Sequence, residues 1–119
     1  MSIMMSDVLA LREAATARAK DRTADPNFFA YHTGSANAAR TVLYALALGE
    51  TITESDLQSA LTKLTTDLEK SREHQHHWYY SGEIAMTTYL LQQWSTGTVD
   101  AKAACPQPAL ATRIPAGAQ

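Results

Sequence analysis

Apolar positions recur along the chain at helical spacing in four separate stretches. Val8, Leu11 and Ala15 fall at i, i+3 and i+7, so the pattern predicts a first helix over residues 6–20, capped by Ser6 or Asp7. Asp25-Pro26 opens the next helix, because proline fits a first helical turn behind an aspartate cap. That second helix runs to Leu48 and stops at Gly49, a residue free to take the left-handed conformation of a helix end. Its last stretch, residues 42–48, is apolar on every side and is expected to be the most buried part of the fold.

Thr53-Glu54-Ser55-Asp56 predicts a helix start, with Thr53 as N-cap and acidic residues in the first turn. Leu57, Leu61, Leu64 and Leu68 then form one apolar stripe, opposed by Lys63, Thr66, Asp67 and Lys70. A fourth helix is expected over residues 81–95, with Ile84, Thr87, Leu91 and Trp94 on one side and Gly97 at its end. Past Val99 the pattern dissolves into alanine, proline and small polar residues, and three of the four prolines lie there. Residues 99–119 are therefore expected to be an extended or disordered C-terminal tail, or a segment wrapped over the body.

The second and fourth helices also resemble each other. A shift of 48 residues places Tyr31 on Tyr79, Gly34 on Gly82, Leu43 on Leu91 and Gly49 on Gly97, with Thr33 on Ser81. The first and third helices begin alike, Ser6-Asp7-Val8 against Ser55-Asp56-Leu57. The expected architecture is all-α. It is a four-helix array built from two similar helical hairpins, forming a single helical domain over residues 1–98.

Composition agrees with this reading. The 119 residues include 21 Ala and 12 Leu against 4 Ile and 3 Val, a skew towards helix formers and away from the β-branched residues of sheets. A net charge of −2 gives no global attraction to nucleic acid or to an anionic membrane, and neither is an expected partner. One cysteine, Cys105, excludes a disulfide framework and suits the cytoplasm. The first residues lack the basic and apolar regions of a secretory signal. The longest apolar run is also far short of the ~20 residues of a membrane span.

Candidate chemistry concentrates at Glu73-His74-Gln75-His76-His77. On a helix Glu73, His76 and His77 share an arc of roughly 100°, and Glu-x-x-His is a metal-ligand spacing in helical bundles. A metal would need further ligands from His32, Asp25 or Glu83. The repeat opposes that reading, because it puts His76 and His77 where Phe28 and Phe29 stand, as flat packing residues. Six of the nine aromatic residues lie at these two matched positions: Phe28, Phe29 and Tyr31, and Trp78, Tyr79 and Tyr80. Consecutive aromatics cannot all face inwards, so part of this belt is expected at the surface as a contact patch.

Two other groups read as bland. Arg12, Arg18, Lys20 and Arg22 are interleaved with acids and suit a solvated helix end. Cys105 has no histidine near it in sequence, and no serine lies in a nucleophile elbow. The sequence thus leads to a non-enzymatic protein-binding module without a cofactor, of adaptor, immunity or mobile-element accessory type. Its expected contact residues are His32, His74, His76, His77, Trp78 and Tyr80, and its partner is another protein or a second copy of the chain. The competing reading is a metal-binding helical protein, an enzyme included, using Glu73, His76 and His77.

Overall fold

The computed structural model describes residues 3–21, 26–71 and 74–104, and among them there are four helices and no strand. These are α1 (Met5–Ala19), α2 (Pro26–Ala47), α3 (Glu54–Lys70) and α4 (His74–Trp94). α1 packs on α2 and α3 on α4, and the two hairpins join through a long α2–α4 contact. None of the helices is long and apolar enough to cross a membrane among the described residues.

The caps follow local chemistry. The carboxylate of Asp7 accepts from the Met4 backbone N–H at 2.9 Å, so α1 starts one residue before the expected position and Ser6 falls inside the helix. Thr53 and Asp56 form the expected reciprocal box: Thr53 Oγ1 accepts from Asp56 N–H at 3.2 Å, and Asp56 Oδ2 from Thr53 N–H at 2.9 Å. Asp25, the expected cap of α2, lies outside the described residues. Gly49 at φ 81° and Gly97 at φ 69° end α2 and α4 as matched partners of the repeat. Gly49 N–H bonds to the Leu46 carbonyl and Glu50 N–H to that of Ala45, both at 3.0 Å.

The repeat has a physical counterpart in the α2–α4 crossing. A methyl group on Gly34 would overlap the Tyr79 carbonyl oxygen and lie 2.9 Å from its carbon. A methyl group on Gly82 would overlap the Tyr31 carbonyl oxygen and lie 2.7 Å from its carbon. Each glycine thus admits the backbone beside the tyrosine that is the image of its own neighbour. Ser35 Oγ donates to the Gly82 carbonyl at 2.9 Å across the same contact. The two helices run in the same general sense, with Phe28 meeting Trp78 before the crossing and Asn37 meeting Glu83 after it.

The main core takes Val8, Leu11 and Ala15 from α1, as expected, with Ala38, Ala39 and Leu43 from α2. Leu57 enters from α3 and Met86, Leu90 and Trp94 from α4. A smaller cluster joins Tyr31 and Trp78, flanked by Phe28.

Three expectations are corrected. Residues 42–48 are not the centre of the fold: Leu43 is buried, but Tyr44 and Leu48 are exposed, Leu48 by 78%. Burial in α2 lies instead around the crossing, at Tyr31, His32, Ser35, Ala38 and Ala39. α2 packs chiefly on α1 and α4, and two neighbours cannot cover a helix that is apolar all round. α4 begins at His74, more than a turn before the expected start. Its inward row is Trp78, Gly82, Met86, Leu90 and Trp94, whereas Ile84 and Leu91 are half-buried. Finally, Arg18 is bound up with residues 99–104, which lie against the body as one of the two readings of that segment has it. Ala104 is buried, Val99 and Ala101 pack on the core, and the Arg18 guanidinium donates to the carbonyls of Ala101, Lys102 and Ala104. Arg18 is therefore a clamp and not part of a solvated basic face. Cys105 and residues 106–119 lie outside the described residues.

Candidate functional site

Because α2 and α4 cross at their glycines, the turns preceding the crossing lie side by side. There the helices leave an open hollow of about 210 Å³ lined by Pro26, Phe29, Ala30 and Thr33 from α2 and His76 and Tyr79 from α4. Phe29 is 59% exposed on its rim, and His76 is exposed. The Tyr79 ring meets Tyr80 edge-on at 6.1 Å. Burial, reinforced by the Glu83 carboxylate, raises the Tyr79 phenol above its ordinary pKa, with Arg40 and Asn37 opposing. Tyr79 is therefore a neutral hydroxyl at the wall of an apolar hollow.

The expected contact residues separate into two groups. His76 lines the hollow, and His77 and Tyr80 are half-buried. His74 is the first residue of α4, and its side chain lies outside the described residues. Trp78 and His32 are interior and present no contact surface: Trp78 is 2% exposed and His32 1%. The reason is helical phase. One inward residue per turn suffices, and Trp78 takes that place against Phe28, with ring centroids 6.0 Å apart.

His32 sits with its ring edge-on to Tyr31 at 5.2 Å. Neither of its ring nitrogens has a hydrogen-bond partner among the described residues. Burial, with the charge of Arg18 adding to it, lowers the His32 pKa to about 4, so the imidazole is neutral at pH 7.

Sequence reasoning misses Pro26, Ala30 and Thr33 as lining residues, and it places Phe29 and Tyr79 in the aromatic belt without singling them out as contact residues. A signal for one was present: in a Phe28-Phe29 pair on a helix only one ring can face the core, and Phe28 takes that role with Trp78.

For the metal reading, no group of three His, Cys, Asp or Glu side chains forms among the described residues. Glu73 and Asp25 lie outside them. Glu83 instead accepts from Asn37 Nδ2 at 3.0 Å, and burial raises its pKa. His32 is enclosed in the interior. No specific convergence favours His76 and His77 as ligands. Compared with known proteins, the chain matches no family model, no curated protein and no solved structure.

Proposed function

We propose that this chain is a non-enzymatic, cytoplasmic protein-binding module acting by steric occlusion or scaffolding, with the Phe29 hollow as its contact surface. The observation that carries the reading is the exposure of Phe29 beside a hollow whose walls are fixed by the glycine crossing. A large ring held on a helix gives contact area at small entropic cost, which is the character of an interface anchor. His76 stands at the rim with His77 and Tyr80 beside it. The partner is another protein, a second copy of the chain included.

Photo-crosslinking in the native cell tests this. A benzophenone side chain is placed at position 29 or 76, and at Gln58 on the exposed face of α3 as a control. The expected result is one discrete adduct from positions 29 and 76 that is missing from position 58. Equal or no adducts from all three positions would remove the site.

A further inference from the structure

Phe29, Arg40, Tyr44 and Leu48 stand exposed along one face of α2, with Thr33 and Asn37 half-buried between them. Leu48 prolongs the helix past Ala47, its N–H bonding to the Tyr44 carbonyl at 3.0 Å. In 22 residues α2 holds one side chain that is charged at pH 7, Arg40, whereas the 17 residues of α3 hold six, from Glu54 to Lys70. A helix face exposed over this length with a single charge has the character of a contact face, and that of α3 the character of a solvated one.

The row also reads the same from either end. Steps of four, four, three, four and four residues join Phe29, Thr33, Asn37, Arg40, Tyr44 and Leu48. A second copy laid antiparallel, about a two-fold axis level with Ala38 and Ala39, therefore gives every member a defined opposite. Phe29 meets the partner's Leu48, Thr33 the partner's Tyr44, and Asn37 the partner's Arg40. The two ends fit by shape: the hollow of about 210 Å³ beside Phe29 is concave, and Leu48 at the other end projects with 78% of its surface exposed. At the centre Arg40 donates to Asn37 Oδ1 at 2.8 Å and lies over the Tyr44 ring, 5.7 Å from its centroid. Asn37 in turn donates to Glu83, on which Lys63 and Asp67 act with opposite sign. Each guanidinium thus meets the partner's Asn37–Glu83 pair, a contact that fixes register, while the apolar ends supply the burial.

We propose that the occupant of the Phe29 hollow is Leu48 of a second copy of this chain, in an antiparallel pair of α2 helices. The proposal rests on the hollow being a contact surface and adds which partner fills it. Two-fold symmetry makes both hollow–leucine contacts at once. One helix row on each side is a small interface, so the pair is weak, with a Kd on the order of 100 μM, and the chain is monomeric at the low micromolar concentrations of an unfolding measurement.

Cysteine pairing in the full chain tests the register. In a Cys105→Ser background, Ala30→Cys and Ala47→Cys leave Phe29 and Leu48 in place, and the antiparallel pair sets position 30 against position 47 of the other copy. Mixed under air at roughly 300 μM, above the expected Kd, the two variants should form a disulfide-linked heterodimer. Either variant alone should form at least ~10-fold less adduct, because like positions lie about 25 Å apart across the axis. Leu48→Asp, a change at an exposed position, should abolish the mixed adduct, and Gln58→Asp on the exposed face of α3 should not. Sedimentation of the parent chain should show monomer giving way to dimer over the same range, and this readout needs no variant to fold. A parent chain still monomeric at about 1 mM, well above that Kd, overturns the proposal. So do like-with-like adducts as abundant as mixed ones, or a dimer that Leu48→Asp leaves intact. A monomeric chain whose position 29 still photo-crosslinks to one other protein overturns it while leaving the hollow as a contact site. A monomeric chain without such an adduct removes both.

Discussion

Gly34 and Gly82 are each other's image across the α2–α4 crossing: each makes room for the carbonyl of a tyrosine, and the two tyrosines are themselves repeat partners. A side chain at either position must push the two hairpins apart at their joint. On an exposed helix, Gly→Ala would stabilise by up to ~1 kcal/mol. Here the obstacle is backbone, which cannot rotate away. Gly34→Ala and Gly82→Ala are each expected to destabilise by about 1–3 kcal/mol in urea unfolding, the cost of overpacking. The double variant should lose less than the sum, because the first methyl already opens the space the second needs. Additive losses would mean that the two contacts are independent.

Arg18 gives a second prediction. Its fork reaches the carbonyls of Ala101, Lys102 and Ala104, so one planar group satisfies three acceptors of a segment with no helix or sheet of its own. Arg18→Met should release residues 101–104, seen as faster amide exchange there, and cost about 1–3 kcal/mol. Arg18→Lys should recover little of this, because an ammonium cannot span the carbonyls as the fork does. Unchanged exchange in both variants would show that the apolar contacts of Val99, Ala101 and Ala104 hold the segment without the clamp.

Much of this fold is visible in the chain, and the parts that are not have a common cause. Caps are local, so Thr53 with Asp56 and the two terminal glycines can be read from neighbouring residues. The inward row of α1 follows from its own period. The repeat foreshadows the crossing because glycines and tyrosines recur at one spacing. Residues 42–48 and Trp78 are different: their exposure depends on how many helices stand beside them, which no window of sequence contains. Arg18 looks like a surface cation until a segment more than eighty residues away arrives at it. The hollow was half legible for the same reason, since His76 and the aromatic belt mark the region, but only the crossing decides that Phe29 faces out and Trp78 faces in.

His32 sets a pH dependence whose sign follows from its burial. Its folded pKa of about 4 lies below the ordinary 6.5, so the unfolded chain takes up the proton first. Stability from the neutral imidazole is complete above pH 6.5 and is lost as pH falls towards 4. The loss approaches about 3 kcal/mol, from 1.36 kcal/mol per unit. His32→Leu should flatten that part of the profile relative to the parent chain. A parent whose stability is constant from pH 6.5 to 4, with a variant to match, would place the imidazole in contact with water.

The contrast between Leu90 and Leu48 tests where the core lies. Both belong to apolar runs, and the run containing Leu48 is the more apolar of the two. Leu90 is fully enclosed, whereas Leu48 is 78% exposed at the end of α2. Leu90→Ala removes side-chain volume from a packed interior and should cost about 2–5 kcal/mol by the cavity it leaves. Leu48→Ala removes the same atoms from a surface already in water and should change stability by no more than about 0.5 kcal/mol. Urea midpoints measured at several protein concentrations decide the matter. If Leu48→Ala costs as much as Leu90→Ala, and the cost grows with concentration, the end of α2 is covered by a second molecule in solution. A large loss at Leu48 independent of concentration would instead mean that the α2 end is packed within the chain.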